Sequence, residues 1–96
     1  MKMKVVAFEP QPDGRGSLKG HATILFVDMG LKISSIRYYQ RDRDDWVHLP
    51  CRRKRSDNGE VRWIPNVSFL NPQEHSLFLD ELADLIADYR KEWPHE

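Results

Sequence analysis

The stretch Trp46-Val47-His48-Leu49-Pro50-Cys51-Arg52-Arg53-Lys54-Arg55-Ser56-Asp57-Asn58-Gly59-Glu60-Val61-Arg62-Trp63-Ile64-Pro65 decides how this chain is read. Two short aromatic and aliphatic runs, 46–49 and 61–64, flank four consecutive cations and the sequence Ser-Asp-Asn-Gly. Asn-Gly marks a turn, because both residue types tolerate positive φ. The stretch therefore predicts two paired strands joined by a basic, exposed loop. Four adjacent like charges repel one another and cannot all be buried. They sit in water or face a polyanion.

Toward the N-terminus the chain alternates. Leu18, Gly20, Ala22, Ile24 and Phe26 fall on one face of an extended segment, and Lys19, His21 and Thr23 on the other. A period of two is the signature of a strand with one wet face. Before it, Val5, Val6 and Phe8 suit a strand over 4–9, and Pro12, Gly14 and Gly16 break the segment between. After it, Asp28-Met29-Gly30 forms a tight turn into a strand over 31–39. Its apolar phase moves from Leu31 and Ile33 to Ile36 and Tyr38 across Ser34-Ser35, which predicts a β-bulge. Residues 40–45, alternating Arg and Asp, read as a charged hairpin loop.

Toward the C-terminus residues 66–70 are irregular. Asn71-Pro72-Gln73-Glu74 then starts a helix: Asn71 caps, Pro72 fits the first helical position, and Glu74 can reach back to the cap. Phe78, Leu82, Leu85, Ile86, Tyr89 and Trp93 make one apolar stripe, Asp80, Glu81, Asp84 and Asp88 line the other face, and Pro94 ends the helix. The predicted fold is α+β, an antiparallel sheet of four to five strands with one C-terminal helix packed on it.

Ninety-six residues make a single domain over 1–96, with a core that self-association would help. No apolar run approaches the ~18 residues of a membrane helix. The apolar part of the N-terminal segment, Val5-Val6-Ala7-Phe8, is too short for a secretory signal, and lone Cys51 cannot form an internal disulfide. Both point to a cytoplasmic protein. The formal net charge of zero hides an uneven distribution. Residues 31–63 hold nine Lys and Arg against five acids, and residues 74–96 hold two against seven. A basic middle and an acidic tail permit anion binding at a neutral overall pI.

Arg forks suit phosphate oxygens, so Arg52, Arg53, Lys54 and Arg55, flanked by Arg62 and Lys32, form the candidate nucleic-acid-binding set. The plainer reading is a solvated turn that keeps a sheet edge soluble. Tyr38, Tyr39, Trp46 and Trp63 could stack on unpaired bases, although rings more often supply core area in a small protein. No metal site is expected: His48 and Cys51 are one pair where zinc needs four ligands. No cofactor is implied, since the glycine-rich phosphate loops are missing. His48 and Cys51, three apart on a strand, would point to opposite faces, which argues against a catalytic pair and against an enzyme.

The ordered set of motifs resembles the SpoVG (septation regulator) family of small bacterial proteins. The matching residues are Asp13-Gly14, Leu18-Lys19-Gly20-His21-Ala22-Thr23-Ile24, Gly30-Leu31-Lys32-Ile33-Ser34-Ser35-Ile36-Arg37, Leu49-Pro50, Cys51-Arg52-Arg53-Lys54 and Asn58-Gly59-Glu60-Val61-Arg62, before a C-terminal helix. The resemblance implies a homodimeric regulator of bacterial gene expression, septation or development that binds DNA or RNA. It also implies that Arg52, Arg53 and Lys54 contact nucleic acid. Cys51, Trp63, the long 41–45 segment and the acidic helix depart from the family pattern. A second, local likeness runs from Ile36-Arg37-Tyr38-Tyr39 through Trp46 to the Pro-Cys-Arg-Arg-Lys run. It is similar to transcriptional coactivators that grip single-stranded DNA, but their glycine-rich lysine loop is missing. A rival from another class is a protein-interaction adaptor using the acidic helix.

Overall fold

The alternating strand β2 (Leu18–Phe26) is the spine of the molecule. A computed structural model describes residues 2–13 and 15–92. β2 pairs antiparallel with β1 (Met3–Pro10) on one side and β3 (Leu31–Arg41) on the other. β4 (Asp44–His48) adds to β3, giving the sheet order β1-β2-β3-β4. β5 (Cys51–Arg55) and β6 (Val61–Pro65) form a separate two-stranded antiparallel ribbon, and α1 (Pro72–Glu92) follows. The fold is α+β, with an antiparallel sheet and one C-terminal helix, as the residue pattern predicts.

One face of the main sheet is dry. Phe8, Ala22, Ile24, Phe26, Ile36, Tyr38 and Val47 from the strands, with Leu49 beyond β4, meet Phe78, Leu82, Ala83 and Ile86 of α1. The rings interlock: Phe26 stacks with Phe78 at 6.1 Å, and Phe8 meets Tyr38 edge-on at 6.4 Å. Gly20 is required where it stands, because a Cβ there would strike the Phe8 ring and the Glu9 carbonyl. Burying one Ile or Leu side chain of this set contributes about 1.5–3 kcal/mol.

The predicted bulge is present. Ala22 lies opposite Ile36 and Ile24 opposite Ile33, so Ser34 and Ser35 share the space facing Thr23. Ser35 takes the left-handed conformation, with φ 63°. The extra residue keeps both Ile33 and Ile36 toward the helix.

The pairing of 46–49 differs from the sequence reading. Trp46 lies opposite Tyr39 and Val47 opposite Tyr38, so this segment pairs with β3 and not with 61–64. Residues 40–45 are not a loop either. The strands continue to Arg41 and Asp44, and Asp42 and Arg43 alone make the turn, with Asp42 at φ 56°. Burial explains both corrections. Val47 and Leu49 are apolar and must reach the space under α1, and a place beside β3 puts them there.

The helix starts as its first residues predict. Asn71 Oδ1 accepts the backbone N–H groups of Gln73 at 2.8 Å and Glu74 at 3.2 Å. Among the described residues no bond from the Glu74 side chain returns to the cap. Asp80, Glu81, Asp84 and Asp88 are exposed, as expected. Trp93, the last residue of the predicted stripe, and Pro94, its expected terminator, lie outside the described residues. Near the helix end the Arg90 guanidinium sits over the Phe8 and Tyr38 rings, 5.5 Å and 5.3 Å from their centroids. Among the described residues no helix is long and apolar enough to cross a membrane.

Candidate nucleic-acid interface

The ribbon is built by its turn. Ser56 and Glu60 face each other through a Ser56 N–H bond to the Glu60 carbonyl at 2.8 Å, and the Gly59 N–H donates to the Ser56 carbonyl at 3.0 Å. Gly59 carries the positive φ, 86°. Asn58 acts instead through its side chain: its Oδ1 accepts the Glu60 N–H at 3.1 Å and the Ser56 hydroxyl. This is a β-turn followed by a left-handed glycine, the three-residue hairpin connection. Asn-Gly thus marks the turn as expected, though only the glycine uses the left-handed region.

The four cations are therefore on a strand and not in a loop. The turn needs only residues 57–59, so 51–55 are free to pair: Arg52 with Ile64, Arg53 with Trp63, Lys54 with Arg62 and Arg55 with Val61. Strand alternation relieves the repulsion that the consecutive charges would suffer in a compact loop. Arg53 and Arg55 share a face with Cys51 and Trp63. Arg52 and Lys54 share the other with Arg62. All five cations are exposed.

Their partners are few. Arg52 Nη1 donates to Asn66 Oδ1 at 3.0 Å, and Arg62 lies 3.9 Å from the Glu60 carboxylate, with both side chains mostly in water. Among the described residues no carboxylate comes within 4 Å of Arg53, Lys54 or Arg55. Lys54 and Arg62 stand directly across from each other, an arrangement of like charges that costs stability. Lys32 is set apart. It pairs with Leu25 at the start of β3, five residues or ~16 Å of strand from Arg37, and lines neither cleft beside the ribbon.

Residue pattern alone did not bring out the surface that the ribbon faces. The second face of the main sheet carries no helix, and Arg37, Tyr39, Trp46 and His48 lie on it. Beside the ribbon runs a cleft of about 510 Å³, walled by Tyr39 and His48 of this face, by Val47 and Leu49, and by His75 and Leu79 of α1, with a second of about 290 Å³ next to it. Arg37, Cys51 and Trp63 line both. Arg37 Nη2 donates to Cys51 Sγ at 3.2 Å, tying the base of the ribbon to β3. The Asn66 N–H bond to the Pro50 carbonyl, 2.9 Å, closes the ribbon at this same base, opposite its turn. Arg37 could have been found from its place between Ile36 and Tyr38, which puts it on the wet side of β3.

His48 and Cys51 do not point apart as strand spacing suggested. Leu49 and Pro50 break the strand between them, and both residues line the larger cleft. The thiol's hydrogen-bond partner is Arg37 and not the imidazole. Loss of water around the His48 ring, and then the Arg37 charge, hold its pKa below the ordinary histidine value. It is neutral near pH 7.

The four aromatics separate into three environments. Tyr38 is core: its ring is buried and its hydroxyl donates to Asp45 Oδ2 at 2.8 Å, so it cannot stack on a base. Burial first, and the Asp45 carboxylate second, push its phenol up to about 12, against the opposing Arg90 charge. Tyr39 and Trp46 stack on each other at 5.6 Å with planes 2° apart, and Tyr39 also meets His48 at 4.9 Å. Trp63 is 65% exposed and meets no other ring among the described residues. No family model matches the chain, and no curated protein or solved structure matches it.

Proposed function

We propose that this protein is a SpoVG-like, non-enzymatic regulator that binds DNA or RNA through the β5–β6 ribbon. One observation carries the reading: Arg53, Lys54 and Arg55 stand in water without a carboxylate partner, and Lys54 opposes Arg62. A ribbon that places like charges across from each other gives up stability, and a polyanion recovers it. Arg52 and Arg62 complete the phosphate-binding set. Lys32, away from the ribbon, would add only long-range attraction that salt screens. A two-stranded ribbon is narrow enough to enter a major groove, where the same guanidinium groups could reach base edges.

The order of motifs shared with the SpoVG family supports the same reading, and with it a cytoplasmic homodimer acting on bacterial gene expression or septation. Two copies would present two ribbons at a fixed spacing and raise affinity through effective concentration. The exposed acidic face of α1 supports the alternative, a protein-interaction adaptor. Titration of random-sequence and genomic DNA at low and moderate salt separates the two. A regulator of the proposed kind binds at low salt and weakens steeply as salt rises. An adaptor gives no binding even at low salt.

A further inference from the structure

We propose that the cleft beside the ribbon holds an unpaired base of a single-stranded nucleic acid, stacked on Trp63. This rests on the reading of the ribbon as phosphate-binding and narrows it to single strands. Among the described residues, Trp63 is the aromatic of the region that meets no neighbouring ring, at 65% exposure. It lies directly opposite Arg53 and shares a ribbon face with Arg55, so one ring and two cations stand together on one surface. A ring beside cations suits a single strand, which offers bases and phosphates together, and stacking platforms beside basic grooves bind such strands with little sequence preference.

The cleft fits a flat heteroaromatic occupant. Its volume, about 510 Å³, falls within the ~300–1,000 Å³ typical of small-ligand sites. Trp63 lines it from the ribbon, Tyr39 and His48 from the sheet, and His75 and Leu79 from α1. Arg37, which lines the cleft, offers donors to a base edge or a phosphate. A base inside a duplex cannot reach this wall without leaving its stack, which costs energy that a single strand does not spend.

The test compares a labelled oligothymidylate with a labelled duplex of equal length, by fluorescence anisotropy. Wild-type protein, Trp63→Ala, Trp63→Phe and Arg53→Ala are titrated, and circular dichroism verifies that each variant is folded. Trp63→Ala is expected to lose roughly 10- to 30-fold in affinity for the single strand, and Trp63→Phe to keep most of it. Arg53→Ala should weaken single strand and duplex alike. Trp63→Ala binding the single strand as tightly as wild type overturns the stacking site. So does an equal loss on both nucleic acids, and so does a wild-type protein that prefers the duplex; the phosphate-binding reading survives all three. Wild-type protein that binds neither nucleic acid at low salt removes both readings together.

Discussion

The main sheet and the β5–β6 ribbon are both antiparallel, yet different forces hold them. The sheet exists because Ile24, Ile36, Tyr38 and Val47 leave water against Leu82 and Ile86. Each side chain there is fixed by what it touches, and its register follows from burial. The ribbon has no core of its own. Its five residue pairs depend on a turn, on backbone hydrogen bonds and on a few ties at its base, and a lone two-stranded hairpin of this kind is marginal in water. Its side chains are chosen by something other than packing. The contrast separates residues that make the fold from residues available for a partner.

The largest expected difference between the two regions is in stability. Ile86→Ala removes a fully buried side chain and should cost about 2–5 kcal/mol in denaturant unfolding. Replacing Arg52, Arg53, Lys54 and Arg55 together with alanine should change stability by less than about 1 kcal/mol, because all four side chains are in water. A ribbon variant that unfolds as readily as the core variant would mean that the ribbon is structural.

A smaller effect sharpens the same line. The Tyr38 phenol is held at about 12, above the ordinary value of 10.0. The unfolded chain therefore loses this proton at a lower pH than the native one. The contribution to stability is fully present below pH 10 and is lost as pH rises from there through about 12. Ultraviolet titration of the folded protein should show a late-ionising phenol that Tyr38→Phe removes. The same substitution gives up the hydrogen bond to Asp45, worth about 1 kcal/mol.

What could be read from residues divides along the same boundary. The alternation at 18–26, the slip at Ser34-Ser35 and the cap at Asn71 each state a local rule that the fold obeys, so strands, bulge and helix start were legible. The partner of 46–49 was not. Its choice depended on Val47 and Leu49 reaching a core assembled from distant residues. At the ribbon the charges were legible but their setting was not. Consecutive cations suggested a loop, because repulsion was counted along the chain and not across alternating faces. Arg37 was hidden, and Trp63 was legible only as an aromatic, since the cleft they line is made by ribbon, sheet edge and helix coming together. Tyr38, read as a possible stacking surface, belongs to the core because β3 changes phase before it.

The most direct measurement is the salt dependence of nucleic-acid affinity, compared between the wild-type protein and the variant with Arg52, Arg53, Lys54 and Arg55 replaced by alanine. Each phosphate neutralised contributes about 0.7–0.9 to the slope of log affinity against log salt. If the ribbon grips phosphates, the slope should fall by roughly 3 and low-salt affinity should drop for every sequence. An unchanged slope and affinity in a folded variant would contradict phosphate binding by this ribbon.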